Sequence, residues 1–201
     1  MEDKYYKIDR CSNSELSRIK RELQGQQMYA ASEASLLFGR MFHYATLEPR
    51  KYDPRHVDMS SRILLESMCK TLRSNFQFNL FANHPKTTFE EVVVFNFETV
   101  RLKCKLDARL HDWIIDPKST STTSREEFIK TFDDYGYWRQ AFLYMFACRA
   151  TRFTFFGVTK SKNNCKLFVV NAHEFPHKLK EAEAEAKLLT KHYVFQKQKA
   201  T

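Results

Sequence analysis

Residues that break regular structure are scarce here: 4 glycines and 5 prolines in 201 positions. That scarcity excludes collagen-like, linker-rich and low-complexity chains. A long apolar run is also missing. The longest useful one, Ala141 to Cys148, falls far short of the ~20 residues a membrane span requires. The opening Met1-Glu2-Asp3-Lys4-Tyr5-Tyr6 has no basic region leading into an apolar stretch, so no secretory signal is expected. Cysteine is sparse, odd in number and scattered, at Cys11, Cys69, Cys104, Cys148 and Cys165. No CxxC pair occurs, so neither a zinc site nor a disulfide framework is expected, and reduced thiols in a cytosol are the plain reading.

What is present points to a packed, basic domain. The apolar fraction is 43%, with 18 Phe and 9 Tyr, too much for a disordered chain. A chain of this length buries roughly 70% of its unfolded surface and needs no staple. The length suits one domain spanning residues 1–201. Lys and Arg number 33 against 24 Asp and Glu, a formal net charge of +9. That balance favours a polyanionic partner, and a site must raise or lower that expectation.

Periodicity predicts the order of elements. Ser12 precedes Glu15 at capping-box spacing, and Leu16, Ile19 and Leu23 recur at helical intervals, so a helix is expected over 13–24. Further helices are expected over 31–47, stopped by Pro49, and over 60–72. Strands are expected at 92–95, with a turn at 96–98, then 100–110 and 113–115. A Ser/Thr-rich loop at 119–124 leads to helices over 125–132 and 137–149. Strands at 153–158 and 166–170 precede a closing polar helix over 172–191. The 100–110 strand alternates, with Val100, Leu102, Cys104 and Leu106 on one side and Arg101, Lys103, Lys105 and Asp107 on the other. The order gives an α/β domain with a mixed central sheet flanked by helices.

The densest chemistry is Lys105-Leu106-Asp107 followed by Ile114-Ile115-Asp116-Pro117-Lys118. On an extended segment Asp116 and Lys118 share a face. Asp107, on the neighbouring strand, meets them across the hairpin. Clustered carboxylates repel unless a cation joins them, and all-oxygen ligands suit Mg²⁺ or Mn²⁺. A lysine beside such an ion can orient or deprotonate a water, or stabilise charge developing on a phosphate. Cutting a phosphodiester needs these parts. Glu91, just before the first strand, is a further acidic candidate, whereas Glu48 belongs to a helix end.

These residues, with Tyr137-Trp138-Arg139-Gln140-Ala141-Phe142-Leu143-Tyr144, resemble the PD-(D/E)xK nuclease pattern. More narrowly the chain resembles the exodeoxyribonuclease VIII branch of phage and prophage recombination exonucleases. Tyr6 to Ile19 resembles that branch's opening, and Leu37 to Pro49, with Gly39, His43 and the Leu47-Glu48-Pro49 ending, resembles its glycine–histidine helix. The match runs over roughly residues 5–150, in order.

The resemblance implies a restriction-endonuclease-like fold and a Mg²⁺- or Mn²⁺-dependent exodeoxyribonuclease. It implies that Asp107 and Asp116 bind metal, with the Pro117 carbonyl as a backbone ligand and His43 beside or on the ion. Lys118 would be the catalytic lysine. Gln140 and Tyr144, on one helix face, would hold DNA or that lysine. It also implies 5′→3′ processing of linear double-stranded DNA, a single-strand annealing protein as partner, and a ring-like homo-oligomer. The setting would be a bacterial cytoplasm, with the chain phage or prophage encoded and no membrane involved. The chain departs in carrying Asp116 where the superfamily more often has Glu. It also lacks the close four-cysteine spacing of some related nucleases, so no iron–sulfur cluster is expected. The extra N-terminal region that the branch often carries is expected to be missing. A structure- or site-specific endonuclease of the same fold and a catalytically inactive DNA-binding module are the competing expectations. Lys103, Lys105, Arg109, Arg125 and Lys130, with Lys160, Lys162 and Lys166, could steer DNA or be ordinary surface charge.

Overall fold

Ser12 starts the first helix as its spacing from Glu15 predicts. Its hydroxyl accepts the Glu15 amide at 3.4 Å while its own amide donates to the Glu15 carboxylate at 3.1 Å. The computed structural model describes residues 4–26, 32–161 and 164–199. It contains helices α1 (Asn13–Leu23), α2 (Glu33–Leu47), α3 (Met59–Arg73), α4 (Phe76–Ala82), α5 (Arg125–Tyr135), α6 (Tyr137–Cys148) and α7 (Pro176–Lys199). Its strands are β1 (Cys11–Ser12), β2 (Thr88–Phe97), β3 (Val100–Leu110), β4 (Trp113–Thr120), β5 (Arg152–Thr159) and β6 (Leu167–Asn171). Ala31, the expected start of α2, and Lys162 lie outside the described residues.

The strands form one six-stranded mixed sheet in the order β1-β3-β4-β5-β6, with β2 paired along β3. β2–β3, β3–β4 and β5–β6 are antiparallel, while β4–β5 and β1–β3 are parallel. One face packs on α2, α3 and α4 through Phe42, Leu65, Met68, Phe78, Phe81 and Phe156. The other packs on α5, α6 and α7 through Phe128, Phe132, Trp138, Phe153 and Phe155. Among the described residues no helix is long and apolar enough to cross a membrane.

Several boundaries differ from expectation, each for a physical reason. Helix α4 was not expected, because Phe-Gln-Phe-Asn-Leu-Phe has the aromatic content of a strand. The Asn75 carboxamide caps it, accepting from the Phe78 amide at 3.0 Å, and Phe78 and Phe81 are buried. Burying each of those rings contributes about 1.5–3 kcal/mol, enough to override local propensity. β2 runs to Phe97, not Phe95, and the turn sits at Glu98-Thr99, with Phe97 paired to Val100. β4 continues through Pro117 to Thr120 instead of ending at Ile115, because β5 pairs with it along its whole length. The closing helix begins at Pro176 rather than residue 172. Its Ala182 and Ala186 are buried, so the Glu/Ala run is a packed seam as well as a solvated face.

The alternation along β3 stops at one place. Cys104 and Leu106 pack against the α6 side, but Ala108 and Leu110 pack against the α2 side. β2 switches with it: Val93 and Phe95 face α6, whereas Phe89 faces α2. The switch falls between the Phe89–Ala108 and Glu91–Leu106 pairs, where Glu90 and Asp107 stand opposite without pairing and Glu90 has φ of 55°. A non-glycine residue there stores roughly 1–3 kcal/mol of backbone strain, typical of functional positions.

Candidate active site

The β3–β4 ladder opens beside that switch. Its pairs run from Leu110–Trp113 to Ala108–Ile115, and the next rung, Asp107 opposite Asp116, is unpaired. Two carboxylates therefore face each other where the strands part, three rungs from the hairpin turn rather than at it. Pro117 is tolerated in β4 because the strand has already lost β3 as a neighbour there, so the missing N–H spoils no ladder bond on that side.

Asp116 is 2% exposed. Its Oδ2 accepts from Gln140 Nε2 of α6 at 2.5 Å. Its Oδ1 faces the Lys118 ammonium at 2.8 Å but accepts no well-aligned hydrogen bond. Lys118 in turn lies over the Tyr137 ring, 4.9 Å from its centroid. Burial pulls the lysine pKa down, yet Asp116, then Tyr137 and Asp107, push it up further, so the group stays an ammonium. As held, it is a cation for stabilising phosphate charge, not a base. Burial first, then the neighbouring Asp116 carboxylate, raises the Asp107 pKa above the usual carboxylate range, the effect of like charges crowded together.

On the other side stand His43 and Glu90. His43, from α2, brings Nε2 to 2.8 Å from Glu90 Oε1 and Nδ1 to 3.5 Å from Asp107 Oδ2. Burial lowers the imidazole pKa, but Asp107 and Glu90 outweigh it and raise it to about 9. Glu90 is held anionic: burial is outweighed by hydrogen bonds from His43 and Lys105. One ligand atom each from His43, Glu90 and Asp107 lie within 4.8 Å of one another. His43, Glu90, Asp107, Lys118 and Tyr137, with Pro117, Ser119, Gly39 and Arg40, line one cavity of about 860 Å³, while the buried Asp116 and Gln140 stand outside its lining.

The structure thus brings together His43, Asp107, Asp116, Pro117, Lys118 and Gln140. Tyr144 sits one turn beyond Gln140, with its ring 6.3 Å from Phe153 and its phenol pKa raised chiefly by burial. The aromatic partner of Lys118 is Tyr137 instead. Glu91 is no part of the site, because Arg109 grips it at 2.7 and 2.9 Å. Glu90 takes the place expected for it. The β2–β3 turn at 98–99 sets Glu90 opposite Asp107, and a turn expected at 96–98 hides that register. Glu48 ends α2 and pairs with Lys51. Of the flanking cations, Lys103 donates to the carbonyls of Tyr5 and Ile8 at 3.0 and 2.7 Å, and Arg125 to that of Val169 at 3.0 Å. These two hold the fold together.

The donors fit a hard divalent cation. Carboxylate oxygens dominate, one imidazole is in reach, the Oδ1 of Asp116 accepts no aligned hydrogen bond, and the crowding of Asp107 by Asp116 raises the Asp107 pKa.

A family model described as a PDDEXK-like domain of unknown function (DUF3799) matches residues 4–193. No curated protein matches the chain. Among solved structures, a "putative exonuclease" from Eubacterium rectale is 14% identical. It superimposes with a TM-score of 0.63 over 90% of this chain and 80% of that one. A phage-related exonuclease from Haemophilus somnus is 12% identical, with a TM-score of 0.40 over 92% and 82% of the two chains. The first likeness gives the same mixed-sheet, restriction-endonuclease-like fold.

Proposed function

This chain belongs to the PDDEXK-like family whose model it matches, and on that premise we propose that it is a divalent-metal-dependent deoxyribonuclease, an exonuclease working from the ends of linear double-stranded DNA. The observation that carries the reading is the meeting of Asp107 and Lys118 with His43 and Glu90 in one cavity, with Asp116 buried against Lys118 at 2.8 Å. Its likeness in fold to a protein designated a putative exonuclease supports the exonuclease form over other nucleases.

In this reading Asp107, Asp116, His43, Glu90 and the Pro117 carbonyl would hold Mg²⁺ or Mn²⁺. When bound, such an ion lowers the pKa of a water and polarises a phosphoryl oxygen. The chain's own residues do the rest. Gln140 pins Asp116 through Oδ2 and leaves Oδ1 to face Lys118. Lys118, kept protonated by Asp116, offers its ammonium to the charge that grows on the phosphate. Tyr137 covers one side of that ammonium and restricts where it points. Lys105 neutralises Glu90 and leaves the glutamate oriented toward His43. Tyr144, one turn on from Gln140, sets its ring beside Phe153.

The same reading makes residues 1–201 a single nuclease domain of a bacterial, phage- or prophage-encoded cytoplasmic enzyme. It would degrade 5′→3′, work as a homo-oligomer around DNA and hand its product to a single-strand annealing protein. The test is digestion of linear and closed-circular plasmid with Mg²⁺ or Mn²⁺. Loss of the linear form alone is expected. Cutting of closed circles would replace the exonuclease with an endonuclease. No hydrolysis of either form, with DNA still bound, would leave an inactive binding module.

A further inference from the structure

Beyond Lys118, β4 runs out of one cavity and into another. Ser119 lines the active-site cavity, while Ser121 lines a second one of about 290 Å³ at the ends of β4 and β5. Its wall is made of Ser121, Thr122, Thr123, Thr159, Lys160 and Lys166, and none of its described lining residues is acidic. The backbone there is fixed by the Lys160 amide on the Thr120 carbonyl at 2.8 Å and the Lys166 amide on the Thr159 hydroxyl at 2.8 Å. Thr120 and Thr122 share one hydroxyl bond at 2.9 Å, which leaves a hydroxyl hydrogen of the pair to donate. The Thr123 hydroxyl is already committed to Glu127.

Lys105, Lys118, Lys178 and Lys187 each sit against a carboxylate. Among the described residues neither Lys160 nor Lys166 does. Lys160 stands over the Phe38 ring of α2 at 5.2 Å, and Lys166 reaches only the Thr123 carbonyl, at 3.4 Å. Burial without a compensating acid pulls the Lys160 pKa down. Hydroxyl donors and two unpaired ammoniums around a carboxylate-free hollow make a recognition set for a tetrahedral oxyanion.

We propose that this hollow is a phosphate-binding subsite that seats a substrate phosphate group next to the one cleaved at Lys118. The inference rests on the nuclease reading for its substrate. Three residues of strand separate Lys118 from Ser121, roughly 10 Å. The subsite would fix the strand's register against the reactive centre, so these lysines position the substrate and take no part in the chemistry.

The test uses the full chain with Lys160→Gln and Lys166→Gln together, Lys160→Arg as the conservative control, and thermal melting to confirm folding. Binding of a labelled short duplex is followed by anisotropy in EDTA across a salt series. The double variant should bind about tenfold more weakly, and its log–log salt slope should fall by about 2, one per lysine. Lys160→Arg should retain affinity. On a minimal aryl phosphodiester, which cannot reach the subsite, turnover should match wild type. Duplexes with phosphorylated and unphosphorylated ends separate the sources. Equal losses indicate an internal phosphate, and a loss confined to phosphorylated ends indicates a terminal one. Unchanged affinity and slope in a folded double variant would overturn the proposal. If wild type cleaves nothing, the nuclease reading fails by itself. Titration with inorganic phosphate, followed by NMR shifts of the Ser121–Thr123 amides, then still decides the subsite: saturable shifts lost in the double variant support it, and their absence rejects it.

Discussion

Two charged clusters are anchored on helix α6 by neighbouring residues, and they are built on opposite principles. Arg139 is 1% exposed and completely matched. It donates to Asn13 at 2.8 Å and also to Ser17 and Glu185, tying α6 to α1 and α7. Gln140, the next residue, reaches into a cluster that is mismatched. There burial and Asp116 raise the Asp107 pKa, Asp116 Oδ1 lacks an aligned donor, and Glu90 carries a positive φ. The first cluster partners its buried cation within the chain, away from the active-site cavity. The second crowds Asp107, which lines that cavity, against Asp116. A buried charge set partnered by its own chain supports the fold, whereas carboxylates crowded at a cavity support a function.

If that contrast holds, removing a charge should separate activity from stability. Asp116→Asn should cut DNA hydrolysis on the order of 10³-fold while the melting temperature stays level or rises, since a repulsive carboxylate is gone. Nuclease assays beside thermal melts read both. Arg139→Met should do the reverse. It should cost about 2–3 kcal/mol in urea unfolding, less than a fully buried pair because Glu185 can rehydrate, with activity per folded molecule retained. Loss of activity and stability together in Asp116→Asn would erase the distinction.

The mismatch also has a pH signature. The folded-state pKa of His43 is raised to about 9 from 6.5, so its stabilising contribution is full below pH 6.5 and is lost as pH rises through 9. Asp107 is also raised, so its protonated form stabilises the fold and deprotonation removes that contribution in the same direction. Metal-free protein should therefore melt at progressively lower temperature between pH 6.5 and 9. Added Mn²⁺ should flatten the trend, because it favours the deprotonated carboxylates. Differential scanning calorimetry in EDTA and in Mn²⁺ checks both.

A glycine at each cluster gives the smallest contrast. A Cβ at Gly39, in mid-α2 on the active-site cavity, meets nothing within 4 Å. Gly39→Ala should thus stabilise the fold by about 0.5–1 kcal/mol. Its effect on duplex affinity then reports how closely the substrate approaches α2. Gly136 has φ of 66°, and a Cβ there would lie 2.5 Å from the Arg139 guanidinium, so Gly136→Ala should destabilise by about 1 kcal/mol or more. Chemical denaturation of both variants measures the pair.

Much of the site could be read from the sequence because its parts obey short-range rules. Asp116 and Lys118 share a face by strand geometry, and Gln140 follows Tyr137 on one helix. The capping box at Ser12, the Pro49 stop and the alternation from Val100 to Leu106 are local in the same sense. What could not be read depends on long-range register. Glu90 joins the cluster only because a two-residue turn at 98–99 sets it opposite Asp107. β4 extends to Thr120 only because β5 pairs alongside it. Helix α4 forms against strand-like propensity because its phenylalanines find Phe156 and Trp113. The left-handed residue at Glu90 has no signal in the residue type.

Calorimetric titration of Mn²⁺ into wild type and into a double Asp107→Asn, Asp116→Asn variant addresses the cluster itself, with no substrate involved. Saturable binding by wild type that disappears in the folded double variant is the expected result. Equal binding by both proteins, or none by wild type, would contradict a divalent-cation site at the opening of β3 and β4.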